Sequence, residues 1–155
     1  LRGKVLAITG SCGKSTVKNM TGEILTRCGR STVAPKSFNN RIGVSRTLLA
    51  SHPEDDFVVL EMGTNHPGEI DELAAVARPH AGLITCIGRS HLEGLGDRYG
   101  VREAKGELIP HLVPGGTLVL NADDRLCLSL QQRHDGEVLT FGADSAASIR
   151  PVGFS

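Results

Sequence analysis

A short stretch near the start of the chain, ITGSCGKST, places two glycines and a lysine in a pattern typical of phosphate-binding loops. Gly10 and Gly13 allow the backbone to wrap closely around phosphates, and Lys14 can reach their charged oxygens. Ser15 offers a hydroxyl that can ligate Mg²⁺. The full Walker A spacing requires a further glycine where this chain has Ile8. The motif alone therefore leaves a second interpretation open, a glycine turn followed by a solvated lysine.

The elements around the loop favour the phosphate-binding interpretation. An apolar run at 4–9 is typical of a strand, and a helical pattern follows at 15–28. Backbone N–H groups and the helix dipole converge on an anion where such a helix begins. The residues that we predict to bind nucleotide phosphates are Gly10, Ser11, Cys12, Gly13, Lys14, Ser15 and Thr16.

Three later residues have side chains that can do chemistry beside this loop. Glu61 belongs to the apolar run 56–63, and an acid in a buried strand is costly unless it serves a metal or an ion pair. His91 follows a predicted strand at 81–88 and can ligate a metal, although a lone loop histidine is usually a surface residue. Lys105 lies in a predicted helix, where a solvated lysine is the commoner case.

The chain alternates between strand and helix patterns. Strands are predicted at 4–9, 31–34, 56–63, 81–88, 117–123 and 137–142, with the start of another within 148–154. Helices are predicted at 15–28, 42–52, 67–77, 99–112 and 124–133. The alternation indicates crossover connections, so we predict an α/β fold of three layers, P-loop NTPase-like, with a mostly parallel sheet flanked by helices. Ligands of such sheets gather beyond the carboxyl ends of the strands.

The composition restricts the class of protein. The 155 residues suffice for one domain, and 17 basic residues balance 17 acidic ones. This neutrality argues against a nucleic-acid-binding protein and against a membrane surface as partner. In addition, no apolar run approaches the roughly 20 residues of a membrane span.

The four cysteines include no C-x-x-C pair, so we expect free thiols, mostly buried. They are Cys12, Cys28, Cys86 and Cys127. Cys12 is the exception, because it lies where a helix begins. The positive end of the helix dipole stabilises a thiolate, so we expect a lowered pKa for Cys12 and high reactivity.

Six blocks along the chain resemble the Mur ligases in order and spacing. They are ITGSCGKSTVKNM, NNRIGVSRTLL, LEMGTNHPGEIDELA, SHLEGLGD, EAKGELIPHL and LNADD. Asn39, Asn40 and the HPGEI block favour the branch that adds D-alanyl-D-alanine to a UDP-N-acetylmuramoyl-tripeptide. The resemblance implies that residues 1–155 are the central ATP-binding domain. By the same resemblance, a UDP-substrate domain and a C-terminal domain would lie outside this sequence.

The resemblance also implies a reaction, the ADP-forming synthesis of a peptide bond. The γ-phosphate of ATP would pass to a substrate carboxylate, and the incoming amine would displace phosphate from the acyl phosphate. Asn39 and Asn40 would lie near the substrate. The residues implied as catalytic are Lys14, Glu61, His91 and Lys105. The residues implied as ligands of Mg²⁺ are Ser15, Glu61, His91 and Lys105, the last as a carbamate derived from CO₂.

The implied partners are small molecules, UDP-MurNAc-peptide and D-Ala-D-Ala, and the implied setting is a monomer in the bacterial cytoplasm, engaged in cell-wall synthesis. Two alternatives stay open. One is another ligase of the superfamily, of the cyanophycin, poly-γ-glutamate or folylpolyglutamate synthase type. The other is a non-catalytic nucleotide-binding module, because Cys12 and Cys86 stand where the family usually has asparagine.

Overall fold

The structure is a computed structural model that describes residues 2–153. Within that range six strands form one sheet in the order β2-β3-β1-β4-β5-β6, with every pair parallel. The strands are β1 Lys4–Thr9, β2 Ser31–Val33, β3 Phe57–Glu61, β4 Ala81–Ile84, β5 Thr117–Asn121 and β6 Glu137–Phe141. Helices flank the sheet, and the predicted α/β fold is confirmed.

The helices connect successive strands, as parallel pairing requires. They are α1 Lys14–Leu25, α2 Arg41–Ala50, α3 Glu69–Ala77, α4 Leu92–Leu95, α5 Arg98–Gly106 and α6 Arg125–Leu128. Two 3₁₀ turns, Ile109–His111 and Ser129–Arg133, complete the set. In the described part of the chain, no helix is long and apolar enough to cross a membrane.

The hydrophobic core lies against the central strands of the sheet. Val58, Val59 and Leu60 of β3 are fully buried, as expected for a strand covered on both faces. Ile8 of β1 pairs with Glu61 of β3, at the carboxyl ends of both strands. The central strands therefore deliver their last residues to one edge of the sheet.

The first helix buries a different face from the one its apolar residues indicate. Met20 and Ile24 are 61% and 62% exposed, whereas Lys18 and Gly22 are buried. A methyl group added at Gly22 would lie only 2.8 Å from Cγ2 of Val33, so the glycine permits close approach of α1 to β2. This close packing, and not the spacing of the larger apolar residues, determines the orientation of α1.

Several predicted elements are shorter in the structure. The predicted helix 99–112 ends at Gly106 and continues as a 3₁₀ turn that contains Pro110, which lacks a backbone N–H donor. The predicted strand 81–88 ends at Ile84. At the C-terminal end, Ile149 forms an isolated parallel bridge with Phe141. The predicted strand start within 148–154 reaches residue 154, which lies outside the described residues.

Candidate active site

The predicted phosphate-binding loop, here called the phosphate loop, connects β1 to α1 through residues 10–13. Its shape depends on two glycines with positive φ. Gly10 has φ 139° and Gly13 has φ 79°. A methyl group at Gly10 would lie 1.9 Å from Oγ1 of Thr85, so no other residue fits there without rearrangement. Gly13 is the N-cap of α1 and provides no side-chain hydrogen bond to the helix. The first N–H groups of α1 are therefore oriented for an anion and not capped by the loop's own side chain.

The loop is attached to the segment that follows β4. Ser11 donates its backbone N–H to the carbonyl of Cys86 at 3.0 Å, and its hydroxyl accepts from the N–H of Gly88 at 2.8 Å. Thr85 donates its hydroxyl to the carbonyl of Cys12 at 2.5 Å. The predicted strand 81–88 is too long because its last residues leave the sheet and make these contacts.

Lys14 and Ser15, the first residues of α1, face the site in different ways. Nζ of Lys14 donates to the carbonyl of Gly10 at 2.8 Å, which places the ammonium beside the loop. The hydroxyl of Ser15 donates to Oε2 of Glu61 at 2.8 Å. Thr16 is exposed on the next position of the helix. The structure thus brings the predicted loop residues next to the predicted acid.

Glu61 is the point where three parts of the chain meet: β3, α1 and the segment between β2 and α2. It is 1% exposed, and its second oxygen, Oε1, accepts from Nδ2 of Asn39 at 3.0 Å. Nζ of Lys18 lies 3.9 Å from Oε2, and Lys18 also donates to the carbonyl of Lys36. The ion-pair interpretation of Glu61 is therefore confirmed, and its role as a metal ligand stays a prediction.

Sequence reasoning missed Lys18, although a signal was available. Lys18 is four residues after Lys14, so both lie on the same face of α1. The i to i+4 spacing directs Lys18 to the side of the helix that faces the strand ends. The exposed apolar residues Met20 and Ile24 concealed this, because their spacing indicates a different buried face.

A cleft of about 480 Å³ adjoins the loop and contains several of the predicted site residues. Its lining includes Lys14, Asn39, Asn40, Thr64, Glu69 and His91. Oδ1 of Asn40 accepts from the N–H of Gly43 at 2.9 Å, so this side chain caps α2. The structure shows a structural role for Asn40, while Asn39 points to Glu61.

His91 lines this cleft but does not join the acids in a preformed metal cluster. It is exposed, has φ 54°, and immediately precedes α4, an element that the sequence did not predict. Among residues 2–153, no three His, Cys, Asp or Glu side chains are grouped closely enough to hold a metal ion. The role of His91 as a metal ligand stays a prediction.

Lys105 is fully buried in α5, so the solvated-lysine interpretation is wrong. Its Nζ is the one buried side-chain nitrogen or oxygen in the described chain that has no hydrogen-bond partner. Burial, and next the positive charge of Lys14, lower the pKa of Lys105 from 10.5 to about 8, against the opposing pull of Glu107 and Glu69. At pH 7 about a tenth of this amine is therefore neutral and nucleophilic, a far larger fraction than for a lysine with the ordinary pKa of 10.5.

The LNADD block holds the loop contacts in place from β5. Nδ2 of Asn121 donates to the carbonyl of Thr85 at 2.9 Å, and Asp124 accepts the N–H of Ile87 at 2.6 Å. Asp123 accepts the N–H groups of Ala143 and Asp144, which lower its pKa. The turn therefore supports the site from behind.

The cysteines are free thiols, as predicted, but they are not mostly buried. Cys12 and Cys28 are exposed, Cys86 is half-buried, and only Cys127 is buried, which raises its pKa to about 12. The expected lowering of the Cys12 pKa is wrong. The neighbouring thiol of Cys86 raises the pKa of Cys12, and the charge of Lys14 only partly offsets this.

Comparison with known proteins agrees with this geometry. The family model of the Mur ligase middle domain matches residues 8–152. The chain is 44% identical over 128 residues to the UDP-N-acetylmuramoyl-tripeptide–D-alanyl-D-alanine ligase of Escherichia coli strain K12, covering 83% of this chain and 28% of that protein. It is 40% identical over 139 residues to the ligase of the same name from Bacillus subtilis strain 168, covering 90% and 30%.

Solved structures show the same fold. MurF from Acinetobacter baumannii superposes with a TM-score of 0.89 at 33% identity, covering 96% of this chain and 32% of that one. MurF ligase from Thermotoga maritima in complex with ADP gives a TM-score of 0.86 at 29% identity, covering 94% and 34%. The chain spans less than a third of the length of the curated relatives it matches. The chain belongs to the Mur ligase family and matches its middle domain.

Proposed function

We propose that this chain is the ATP-binding middle domain of a ligase that adds D-alanyl-D-alanine to a UDP-MurNAc-tripeptide during peptidoglycan synthesis. The ligase would be a longer monomeric protein of the bacterial cytoplasm, with a UDP-substrate domain before this one and a C-terminal domain after it. The observation that carries the proposal is the buried carboxylate of Glu61 held 2.8 Å from the hydroxyl of Ser15 at the start of α1. Relatives named as this ligase, at 34–44% identity, support the choice of substrates.

The phosphate loop would bind ATP through its backbone N–H groups and Lys14. The two positive-φ glycines shape this cradle, and the ammonium of Lys14 lies beside it. The related ligase from Thermotoga maritima was solved in complex with ADP, which supports a nucleotide as occupant. In this role Lys14 neutralises phosphate charge as the γ-phosphoryl group moves.

The residues at the loop fit Mg²⁺. A hydroxyl and a carboxylate are oxygen donors, which Mg²⁺ prefers, and Ser15 and Glu61 already lie within hydrogen-bond distance. His91 would contribute from the other side of the cleft. When bound, Mg²⁺ would neutralise charge on the phosphate oxygens. Asn39 would hold the Glu61 carboxylate in orientation through its 3.0 Å hydrogen bond.

Lys105 would carry a carbamate. Its neutral amine adds to CO₂ and releases one proton, giving R–NH–COO⁻, so a cation becomes an anion with two oxygen donors. The lowered pKa supplies the neutral amine, and the partnerless Nζ has hydrogen-bonding capacity that the folded protein leaves unused. The carbamate would offset the positive charge of Lys14 and face the metal as a ligand.

The substrate carboxylate would enter the cleft beside Lys14 and accept the γ-phosphoryl group. The amine of D-alanyl-D-alanine would then attack the acyl phosphate, forming the peptide bond and releasing phosphate. Asn39 and Thr64 line the cleft in which this intermediate would lie.

The test is a ligation assay with the full-length protein, ATP, UDP-MurNAc-tripeptide and D-alanyl-D-alanine, followed by mass spectrometry of the product. We expect one ADP for each peptide bond, and loss of ATP binding in Lys14→Ala. Lys4→Ala is the matched control, since Lys4 is exposed on β1. Turnover only with glutamate or folate acceptors would favour another ligase of the superfamily. ATP binding without turnover by any acceptor would favour the non-catalytic module.

A further inference from the structure

The thiols of Cys12 and Cys86 lie against each other at the phosphate loop. Their sulfur atoms are 3.2 Å apart, although the residues are 74 positions apart in the chain. Cys12 is exposed and Cys86 half-buried, so an oxidant in solution can reach the pair. A disulfide requires a sulfur–sulfur distance of about 2.0 Å, which leaves roughly 1 Å to close.

Backbone contacts already fix the two segments together. The N–H of Ser11 donates to the carbonyl of Cys86, and the carbonyl of Cys12 accepts from Thr85. The cysteines therefore flank a contact that the folded protein makes without a covalent bond. Closing the last distance needs only a small movement of the two side chains and the loop.

We propose that Cys12 and Cys86 form a reversible disulfide that closes the nucleotide site. With a hydroperoxide as oxidant, the thiolate of Cys12 attacks the O–O bond and becomes a sulfenic acid, releasing an alcohol or water. The thiol of Cys86 then attacks that sulfur and releases water. Two thiols are thereby oxidised by two electrons, and the peroxide bond is reduced.

The structure shows why the bond affects the loop. Gly10, at the base of the loop, has no room to move towards Thr85, since even a methyl group there would lie 1.9 Å from its hydroxyl. The part of the movement that the loop takes up therefore falls on Cys12 and Gly13, which belong to the predicted phosphate-binding residues. Moving their N–H groups by as much as roughly 1 Å takes them beyond hydrogen-bond distance of a bound phosphate and weakens its binding.

The reaction is slow at neutral pH. The neighbouring thiol raises the pKa of Cys12, and the thiolate is the attacking species. The pair therefore responds to sustained oxidation and not to brief exposure. If the disulfide weakens ATP binding, bound ATP must disfavour formation of the disulfide to the same extent, because the coupling between the two is reciprocal.

The effect on nucleotide binding rests on the proposed function, whereas cross-link formation does not. The experiment treats the full-length protein with hydrogen peroxide, maps disulfide-linked peptides by mass spectrometry, and measures ATP affinity by calorimetry before and after dithiothreitol. We expect a peptide that joins Cys12 to Cys86, a melting temperature that rises on oxidation, and at least tenfold weaker ATP binding that dithiothreitol reverses. Prior addition of ATP should slow formation of the linked peptide.

Cys86→Ser and Cys86→Ala should prevent the linked peptide and keep ATP affinity unchanged by peroxide. Cys28→Ser is the matched control, because Cys28 is exposed and lies outside the pair, and it should respond like the wild type. Absence of the linked peptide after prolonged oxidation overturns the proposal, as does a linked protein that binds ATP normally. Failure of the reduced protein to bind ATP contradicts the proposed function instead, and the linked peptide and melting temperature then decide the cross-link.

Discussion

Lys18 and Lys105 are two fully buried lysines in helices that flank the same sheet, and their surroundings differ completely. Lys18 lies 3.9 Å from the carboxylate of Glu61 and donates to a backbone carbonyl. Lys105 has no hydrogen-bond partner, and the charge of Lys14 faces it. One lysine is paired as a buried charge should be, and the other is not.

From this difference we interpret Lys18 as a residue that supports the site and Lys105 as one that takes part in its chemistry. Lys18 pairs with the carboxylate of Glu61 and holds it in place beside Ser15. A buried amine without a partner lowers stability, so its retention indicates a use that the paired lysine does not have. We therefore expect the same type of substitution at the two positions to change stability in opposite directions.

The largest expected effect is on catalysis. Lys105→Arg and Lys105→Ala should each lower the ligation rate of the full-length enzyme by a thousandfold or more, because neither side chain can form a carbamate. A short-chain carboxylate such as acetate should partly restore the alanine variant by occupying the vacated anion position. The arginine variant should not respond, since its side chain fills the space and stays positive.

These rates are measured by ADP release with and without added acetate. Chloride at the same ionic strength is the control for a general salt effect. A Lys105→Arg enzyme near the wild-type rate would show that burial of this amine has no catalytic purpose.

The next effect is the loss of the buried ion pair. Lys18→Met should destabilise the chain by about 3–5 kcal/mol, because it leaves the buried carboxylate of Glu61 without its counter-charge. Urea unfolding of the 155-residue chain measures the change. Lys4→Met serves as control at an exposed lysine and should alter stability by less than about 0.5 kcal/mol. Equal stability of the two variants would mean that Lys18 does not hold Glu61.

Lys105→Met should change the free energy of unfolding in the opposite direction and stabilise the chain by up to about 3 kcal/mol at pH 7. This value corresponds to a pKa of about 8 in the folded protein against 10.5 in the unfolded chain. Below pH 8 folding bears the full cost of burying the ammonium. Between pH 8 and 10.5 the unfolded state binds more protons, so that cost disappears as the pH rises.

The measurement is the free energy of unfolding from pH 6 to pH 10 in CO₂-free buffer, so that the carbamate does not form. The gap between Lys105→Met and the wild type should narrow with rising pH. A gap that stays constant, or a less stable methionine variant, would contradict an uncompensated amine at this position.

The smallest effect sharpens the description of Glu61. Asn39→Ala removes one hydrogen bond to the carboxylate and leaves Lys18 and Ser15 in place. A cost of about 1.5–3 kcal/mol in unfolding free energy is expected for a hydrogen bond to a charged group, which is less than for Lys18→Met. Urea unfolding of both variants in parallel tests the ranking, and a larger loss for Asn39→Ala would reverse it.

Patterns local in sequence predicted much of this molecule. The glycine loop between β1 and α1, the alternation of strands and helices and the acid at the end of β3 all depend on neighbouring residues, which the sequence shows directly. Burial of Lys18 and Lys105 depends on which face of a helix meets the sheet. Gly22 decided that for α1 through its contact with Val33, and no apolar periodicity reveals such a contact.

Contacts between distant segments were the least predictable. The Cys12–Cys86 approach requires the pairing of β1 with β4, which aligns Thr9 with Ile84. Similarly, α4 has only four residues, too few to produce a helical period. The sequence therefore indicated which residues can do chemistry, while the structure was needed to show which side chains they contact.

The order of the central strands, β3-β1-β4, also determines when the protein can acquire its site during synthesis. Of the six strands, β1 leaves the ribosome first, yet both of its neighbours in the sheet are encoded more than 45 residues later. Long-range parallel pairing of this kind is slow to form. A nascent chain that ends before Ala81 already contains the whole phosphate-loop sequence, but it lacks Thr85 and Cys86 to hold the loop in shape. The proposed nucleotide site can therefore form only after more than half of these 155 residues have emerged. Until then the unpaired edges of β1 depend on protection by other molecules.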